Sequence, residues 1–330
     1  LPFPELQGGL GGSMLDSVLL FEELGRQLVV EPFLETLVLT GGVLSRNGSE
    51  SSVQLLQELM AGKLQGAFAN TEAVSLGSEQ ALSTRAEKQG DAYKLNGRKV
   101  VVHNLGSADV MVVTAKLSHD ELALFLLRPD DKGVSLRTYP TIDGRTAGDI
   151  SLKNVEVDES RLLFVGEAAE TVLRQVQADA MLAMSADMVG SMNTLLERTV
   201  NYTKERRQFN SRLVDFQVLR HRMVDMFVAT ELATSLLYAA AMKVRDGAPD
   251  AYQIAAAAKA KADKSAKMVA HSAIQLHGGI ATTDELPIGH HLKRITVHEQ
   301  RLGNTRTQLH RFQTPPVPKA ATTVAAMKVA

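Results

Sequence analysis

The chain predicts an α+β multidomain protein. A short N-terminal helical domain covers 1–64, a small antiparallel β-barrel or sandwich covers 65–165, and a long C-terminal four-helix bundle with a loose tail covers 166–330. Three observations predict this order. Apolar residues recur at helical spacing as far as about Lys63; short β-branched runs bounded by turn residues follow; after Glu167 long alanine-rich helical stretches take over. At 330 residues the chain is long enough for two or three domains.

Each element has its own justification. FPELQGGLGGS is a glycine-rich opening loop, and SMLDSVLLFEELGRQ carries apolar residues at helical spacing with Gly25 near a possible break. A second helical pattern spans residues 33–44, and SSVQLLQELMAG gives a third helix stopped at Gly62. GAFANTE, STRAEKQ, AYKLNGRKVVVHN, ADVMVVTAKL, LALFLLRP, SLRTYP and DISLKNVEV then read as strands, with Asn96 and Gly97 as a hairpin signal. ATELATSLLYAAAMKV and AYQIAAAAKAKADKSAKMVAHSAIQL exceed an average helix and favour a bundle of long antiparallel helices. The terminal TPPVPKAATTVAAMKVA is interrupted by proline and reads as loose or wrapped on a neighbour.

Composition narrows the function classes. With 45% hydrophobic and 22% charged residues the chain is globular, and a formal net charge of -1 argues against a general nucleic-acid binder. The absence of cysteine removes disulfides, thiolate metal sites and thiol nucleophiles, and no metal site is expected. The apolar runs read as too short and too interrupted to span a bilayer, and the opening LPFPELQGG lacks the pattern of a signal peptide. A cytoplasmic protein is the expectation.

Residues 202–226, YTKERRQFNSRLVDFQVLRHRMVDM, concentrate the chemistry. Arg206, Arg207, Phe209 and Gln217 fall in one turn-and-helix unit: Asn210 and Ser211 break a long helical pattern, and Leu213, Phe216, Leu219, Met223 and Met226 restart it. An arginine fork at such a corner suits a pyrophosphate, because guanidinium meets phosphate oxygens in bidentate fashion. By itself the segment fits better an ordinary helix–turn–helix corner whose arginines cap carbonyls and face water, because charged runs usually form solvated faces.

The order of domains, together with FPELQGGLGG followed by FEELGR, NGRKVVVHN, ERRQFN followed by DFQ and MVDM, and QLHGGIATTDELP, resembles the acyl-CoA dehydrogenase family of flavoproteins over nearly the whole chain. The resemblance implies FAD, a glutamate that removes the α proton of an acyl-CoA thioester, and hydride transfer from the β carbon to the flavin. It also implies a flavin shared between subunits: the ring is held mainly by one subunit's β domain and C-terminal loop, the pyrophosphate and adenine end by the neighbour's bundle.

The half that would serve a neighbour's FAD looks intact. Arg206 stands where the family's pyrophosphate-binding arginine stands, with Phe209 beside it and Gln217 eleven residues on; Gln275, Gly278 and Gly279 match the family's glutamine and paired glycines. Asn210 replaces a usual glycine, tolerable in a left-handed backbone, and Ala281 replaces a later one. The half for the chain's own flavin looks eroded. The family's TEPxAGSD loop appears as TEAVSLGSE, keeping Thr71 and Glu72 but with Ala73 for proline, and the family's Trp-Ile-Thr becomes Val101, Val102 and His103. The family's base position falls on Leu302, followed by Gly303 and Asn304, and the alternative position on the helix before ERRQFN falls on Ala180. Neither side chain can accept a proton. Asp179 and Glu299 are the nearest carboxylates.

The resemblance therefore implies a degenerate, non-catalytic subunit of a heteromeric acyl-CoA dehydrogenase. It would complete the FAD site of a homologous catalytic subunit, in an α2β2 heterotetramer acting on an acyl-CoA and possibly on a bulky steroid side-chain thioester. A self-sufficient dehydrogenase with Asp179 or Glu299 as base is the second reading, and a flavin-free scaffold or CoA-thioester binding protein the third. The sequence begins at a point that one or two helices usually precede in this family: either this is a shortened member, whose own acyl pocket would be wider or absent, or the start is missing from the sequence.

Overall fold

The computed structural model describes residues 1–73 and 82–314. Helix α1 (Met14–Arg26) opens on a capping box between Ser13 and Asp16. A π-helical segment, Leu34–Gly41, runs directly into α2 (Gly42–Asn47), and α3 (Glu50–Met60) starts on a Ser49 cap and ends before Gly62, whose φ is +70°. The strands follow: β1 (Gly66–Ala69), β2 (Arg85–Gln89), β3 (Ala92–His103), β4 (Val110–Lys116), β5 (Leu122–Leu127), β6 (Val134–Pro140), β7 (Thr146–Asp158) and β8 (Leu162–Val165). The bundle comprises α4 (Gly166–Glu205), a minute hairpin of β9 (Arg207–Gln208) and β10 (Ser211–Arg212), α5 (Gln217–Arg245), α6 (Ala251–His277), α7 (Ile288–Gln300) and α8 (Thr305–Gln313).

The strands form one sheet in the order β6-β7-β3-β2-β4-β5-β8, with β1 paired to β4. It is mixed rather than wholly antiparallel, because β1 and β2 both meet β4 in parallel. Side chains on β4 and β5 alternate between two cores, as strand geometry dictates. Val110, Val112, Leu122, Leu124 and Leu126 join the helical core, whereas Met111, Val113, Ala123, Phe125 and Leu127 fill the core of the sheet itself.

Asn96 and Gly97 do not make a hairpin. They lie inside β3, at a register shift against β7; the turn between β2 and β3 is at Gly90, where φ is +65°. Asn96 is occupied by Asn154, whose backbone N–H donates to Asn96 Oδ1 at 2.8 Å. Gly97 is needed for a close approach, since a Cβ there would stand 2.4 Å from Thr84 Oγ1. Turn chemistry and bulge chemistry share the Asn-Gly pair, and here the long partner strand β7 decided between them.

Gly25 does not break α1 either. It lets α1 cross α4 at backbone distance: a Cβ on Gly25 would stand 2.0 Å from the Asp187 carbonyl oxygen, and one on Gly190 would stand 1.9 Å from that of Glu22. Ser191 Oγ and Thr194 Oγ1 then donate to the Gly25 and Arg26 carbonyls, both at 3.3 Å. Gly190→Ala is expected to push the helices apart and to lower stability by at least about 1–3 kcal/mol, the usual cost of overpacking. Thermal unfolding of the variant against the unchanged chain reads it.

The sequence's short apolar runs hid one feature. Helix α5, at 29 residues with a mean hydropathy of 1.3 over its most apolar window, is long and apolar enough to cross a membrane, although one side of it packs in the bundle.

Candidate functional site at the end of the bundle

Helices α4, α5 and α6 run up, down and up, so the C-terminus of α4, the N-terminus of α5 and the C-terminus of α6 share one end. Arg206 caps α4 in an extended conformation (φ -69°, ψ 127°), and the Leu213 N–H returns to its carbonyl at 2.9 Å. Between them the β9–β10 hairpin turns through Phe209 and Asn210, both left-handed at φ 53° and 63°. Two such residues are what a tight two-residue hairpin demands. Asparagine adopts that backbone readily; phenylalanine does not, and is an outlier there. Phe209 is nevertheless 88% exposed, with its ring edge-on to Phe216 at 6.4 Å. The turn thus spends a strained backbone on presenting an aromatic ring to the outside.

Helix α6 brings the other members. Gln275 is exposed one half-turn before His277, and Gly278 (φ 70°, ψ -151°) ends the helix in a region open essentially to glycine alone. A Cβ on Gly278 or Gly279 would meet nothing within 4 Å, so the backbone here has open space beside it, although the Gly278 N–H itself donates to the Ile274 carbonyl. The two helix ends are tied together by Tyr202 and His277: their rings stack at 4.4 Å, and the Tyr202 hydroxyl donates to the His277 carbonyl at 3.3 Å. Arg206, Phe209, Gln217, Gln275, Gly278 and Gly279 are all exposed. Among the described residues the Arg206 side chain has no hydrogen bond or ion pair. A free guanidinium, an exposed ring and a glycine-lined backbone with room beside it fit the phosphates and adenosine end of a dinucleotide held by another subunit.

The chain's own flavin-ring position is different in kind. Of its TEAVSLGSE segment, residues 74–79 lie outside the described residues. Glu72 is sealed inside: its carboxylate accepts from Ser83, from Thr84 and, at 2.7 Å, from the fully buried Lys99. Burial pushes Glu72 up, but Lys99 and these hydroxyls bring it down to about 2, while burial draws Lys99 down to about 8. Val101 sits at φ 52° in a bulge between β3 and β7 and is 49% exposed, an unusual backbone for a β-branched residue. His103 is drawn down to about 3, first by burial and then by the Arg301 guanidinium.

His103 belongs to a buried group that sequence reading missed. Glu35, aimed inward by the π-helical segment, accepts from Arg301 Nη2 at 2.5 Å. Asp187 on α4 accepts from Arg294 Nη1 at 2.8 Å and lies 3.3 Å from His298 Nε2. Arg145 and Arg294 both donate to the Val29 carbonyl, at 3.0 and 2.7 Å. A narrow cleft opens here, with Phe21, Leu34 and Met184 on its apolar side and Arg145, Asp187 and His298 on its polar side. Ala180 is fully buried on α4, and Asp187 is seven residues on, two turns along nearly the same face.

Neither nearby carboxylate lines that cleft. Asp179 is paired with Arg46 at 2.7 Å, and Glu299 with Lys267 at 3.0 Å. Within the cluster, burial pushes Glu35 and Asp187 up, but Arg301 carries Glu35 down to about 2, and His298 with Arg294 holds Asp187 well below the usual carboxylate range. Burial lowers His291 and His298 to about 4. Such carboxylates and histidines are weak proton acceptors, since efficient general bases titrate near the working pH. Among the described residues, the own-ring half therefore offers no tryptophan at the ring position, and none of Glu35, Asp187, His103 and His298, the carboxylates and histidines of the cluster beside the expected base positions, titrates near neutral pH.

Residues 67–155 match the acyl-CoA dehydrogenase middle domain and residues 178–313 the acyl-CoA dehydrogenase C-terminal domain, together more than half of the chain. The chain belongs to the acyl-CoA dehydrogenase family. Among its relatives, the caffeyl-CoA reductase-Etf complex subunit CarC of Acetobacterium woodii is 29% identical over 87% of this chain and 78% of its own length. Butyryl-CoA dehydrogenase from Megasphaera elsdenii has a similar structure, with a TM-score of 0.87 and 27% identity, covering 94% of this chain and 85% of that one. A chain of the ChsE4-ChsE5 complex from Mycobacterium tuberculosis gives a TM-score of 0.85 and 27% identity, covering 95% of this chain and 84% of that one. Family membership makes this an oxidoreductase fold, built for dehydrogenation of acyl-CoA thioesters with FAD.

Proposed function

We propose that this acyl-CoA dehydrogenase family chain is the non-catalytic subunit of a heteromeric enzyme, dividing at 64/65 and 165/166 into the three domains expected from its sequence. In this reading it completes the FAD site of a homologous catalytic partner, in an α2β2 assembly. Arg206 would neutralise the pyrophosphate, Phe209 and Gln217 would flank it, and Gln275, Gly278 and Gly279 would let the backbone come close to the adenosine end. Bound between the subunits, FAD supplies the hydride acceptor for α,β-dehydrogenation of an acyl-CoA to a 2-enoyl-CoA. The partner supplies the ring pocket and the glutamate. A bulky acyl group, such as a steroid side chain, is compatible with this, and no described residue of this chain reads the acyl group.

One observation carries the reading: the family-like residues from Arg206 to Gln217 and from Gln275 to Gly279 are outward-facing, with the Arg206 side chain unpaired among the described residues, whereas the expected base positions are Leu302 and Ala180 and the carboxylates around them, Glu35 and Asp187, are tied up in buried ion pairs. That CarC is named as a subunit of an Etf complex, and ChsE4 as half of a complex with ChsE5, supports an obligate partner. The visible spectrum tests it. The chain alone is expected to be colourless, and co-expressed with its partner to carry about one FAD per pair of chains. Arg206→Ala should weaken FAD retention about 10–100-fold, as expected for a charge-assisted phosphate contact. Its unfolding temperature should not change, since the side chain is free. A chain that is yellow by itself and bleaches with an acyl-CoA would overturn the reading.

A further inference from the structure

The Glu35 cluster occupies a position that the half-site reading leaves without a role. Glu35 is 3% exposed, and its partner Arg301 immediately precedes Leu302, the expected base position. His103, next to the expected flavin-ring position, lies within the electrostatic reach of both. Leu302 is held in a left-handed conformation at φ 53°, with its carbonyl accepting from Gln308 Nε2 at 2.8 Å and from Arg311. The Gly303 carbonyl accepts from Gln308 at 2.9 Å and, at 3.5 Å, from Lys259, whose ammonium is fully buried against Asp263. The loop is thus fastened from α8 and from α6, while its leading arginine is fastened to the π-helical segment. Irregular helical turns of that kind mark functional positions in many proteins.

We propose that the Glu35–Arg301 pair is an internal plug: it fills the interior where the π-helical segment, the end of β3 and the loop after α7 converge, so that the chain folds with no flavin ring of its own and is closed to one. The inference rests on the half-site reading and names the device that enforces it. Its physical signature is coupling. A buried ion pair contributes little compared with apolar side chains of similar volume, yet removing one partner strands the other charge away from water.

The test uses the whole chain alone. Glu35→Met and Arg301→Met are each expected to lower the unfolding temperature by about 10 °C, and the double variant to recover to within about 3 °C of the unchanged chain. Riboflavin, which carries the ring but no phosphate, is expected to leave the unfolding temperature of the unchanged chain where it is. Two effects that simply add in the double variant would overturn the plug, and so would stabilisation by riboflavin. Because the half-site reading is tested by FAD content in the complex and its dependence on Arg206, additive effects would sink the plug and leave that reading standing. Loss of the Arg206 dependence, with coupling intact, would do the reverse.

Discussion

Arg294→Met is expected to lower the stability of the chain by about 3–5 kcal/mol, the usual penalty for breaking a buried ion pair from one side. Arg294 is 1% exposed and joins three elements: Nη1 donates to Asp187 on α4, Nη2 donates to the Val29 carbonyl after α1, and its own backbone belongs to α7. Methionine keeps much of the volume, so the loss measured is chiefly electrostatic. Asp187 would then hold a negative charge with His298 as its remaining close partner, and His298 should respond by becoming more basic. Chemical denaturation should show a lowered midpoint with an unchanged slope, and the imidazole resonance of His298 should titrate at higher pH than in the parent. Asp187→Asn in the Arg294→Met background should recover part of the loss. If Arg294→Met unfolds like the parent, the interior charges are not the fastening they look to be.

How much of this could be read beforehand differs between helices and interior. The long elements were legible because periodicity and alanine content report directly on helix burial, and the family strings singled out Arg206 to Gln217 and Gln275 to Gly279, which the fold brings to one exposed end of the bundle. Asn210 was legible too, as a residue chosen for a left-handed backbone. The π-helical segment was not, since residues 34–41 have the same apolar content an α-helix would have. The interior charges were hidden for a different reason. His291, Arg294 and His298 repeat at helical spacing on the buried face of α7, with Arg301 at its C-terminal cap, but charge at that spacing ordinarily marks a solvated face. Only the countercharges Glu35 and Asp187, more than a hundred residues distant, make that face an inside. Sequence spacing reports which residues share a face and does not report what the face meets.

The same interior is expected to make the stability of the protein fall toward mild acid. His103, His291 and His298 have an ordinary value of 6.5, and burial among Arg145, Arg294 and Arg301 lowers them to about 3, 4 and 4. Between about pH 6.5 and 4 the unfolded chain therefore binds more protons than the folded one, and stability falls as the pH falls through that window. For His291 and His298 the shifts correspond to on the order of 3 kcal/mol each. Asp263 works the other way: burial beside Lys259 raises it to about 6, so the folded state gains a proton first and offsets roughly one histidine. Below about pH 4.5 the lowered carboxyls of Glu35 and Asp187 add a further loss in the same direction as the histidines. The net loss between pH 6.5 and 4.5 is then a few kcal/mol, a large part of the roughly 5–15 kcal/mol that holds a typical protein folded. Unfolding temperatures measured across that range should drop steeply toward acid, and the double variant His291→Asn, His298→Asn should flatten the drop. A profile level down to pH 4.5 would mean that these imidazoles take up protons in the folded chain as freely as in water.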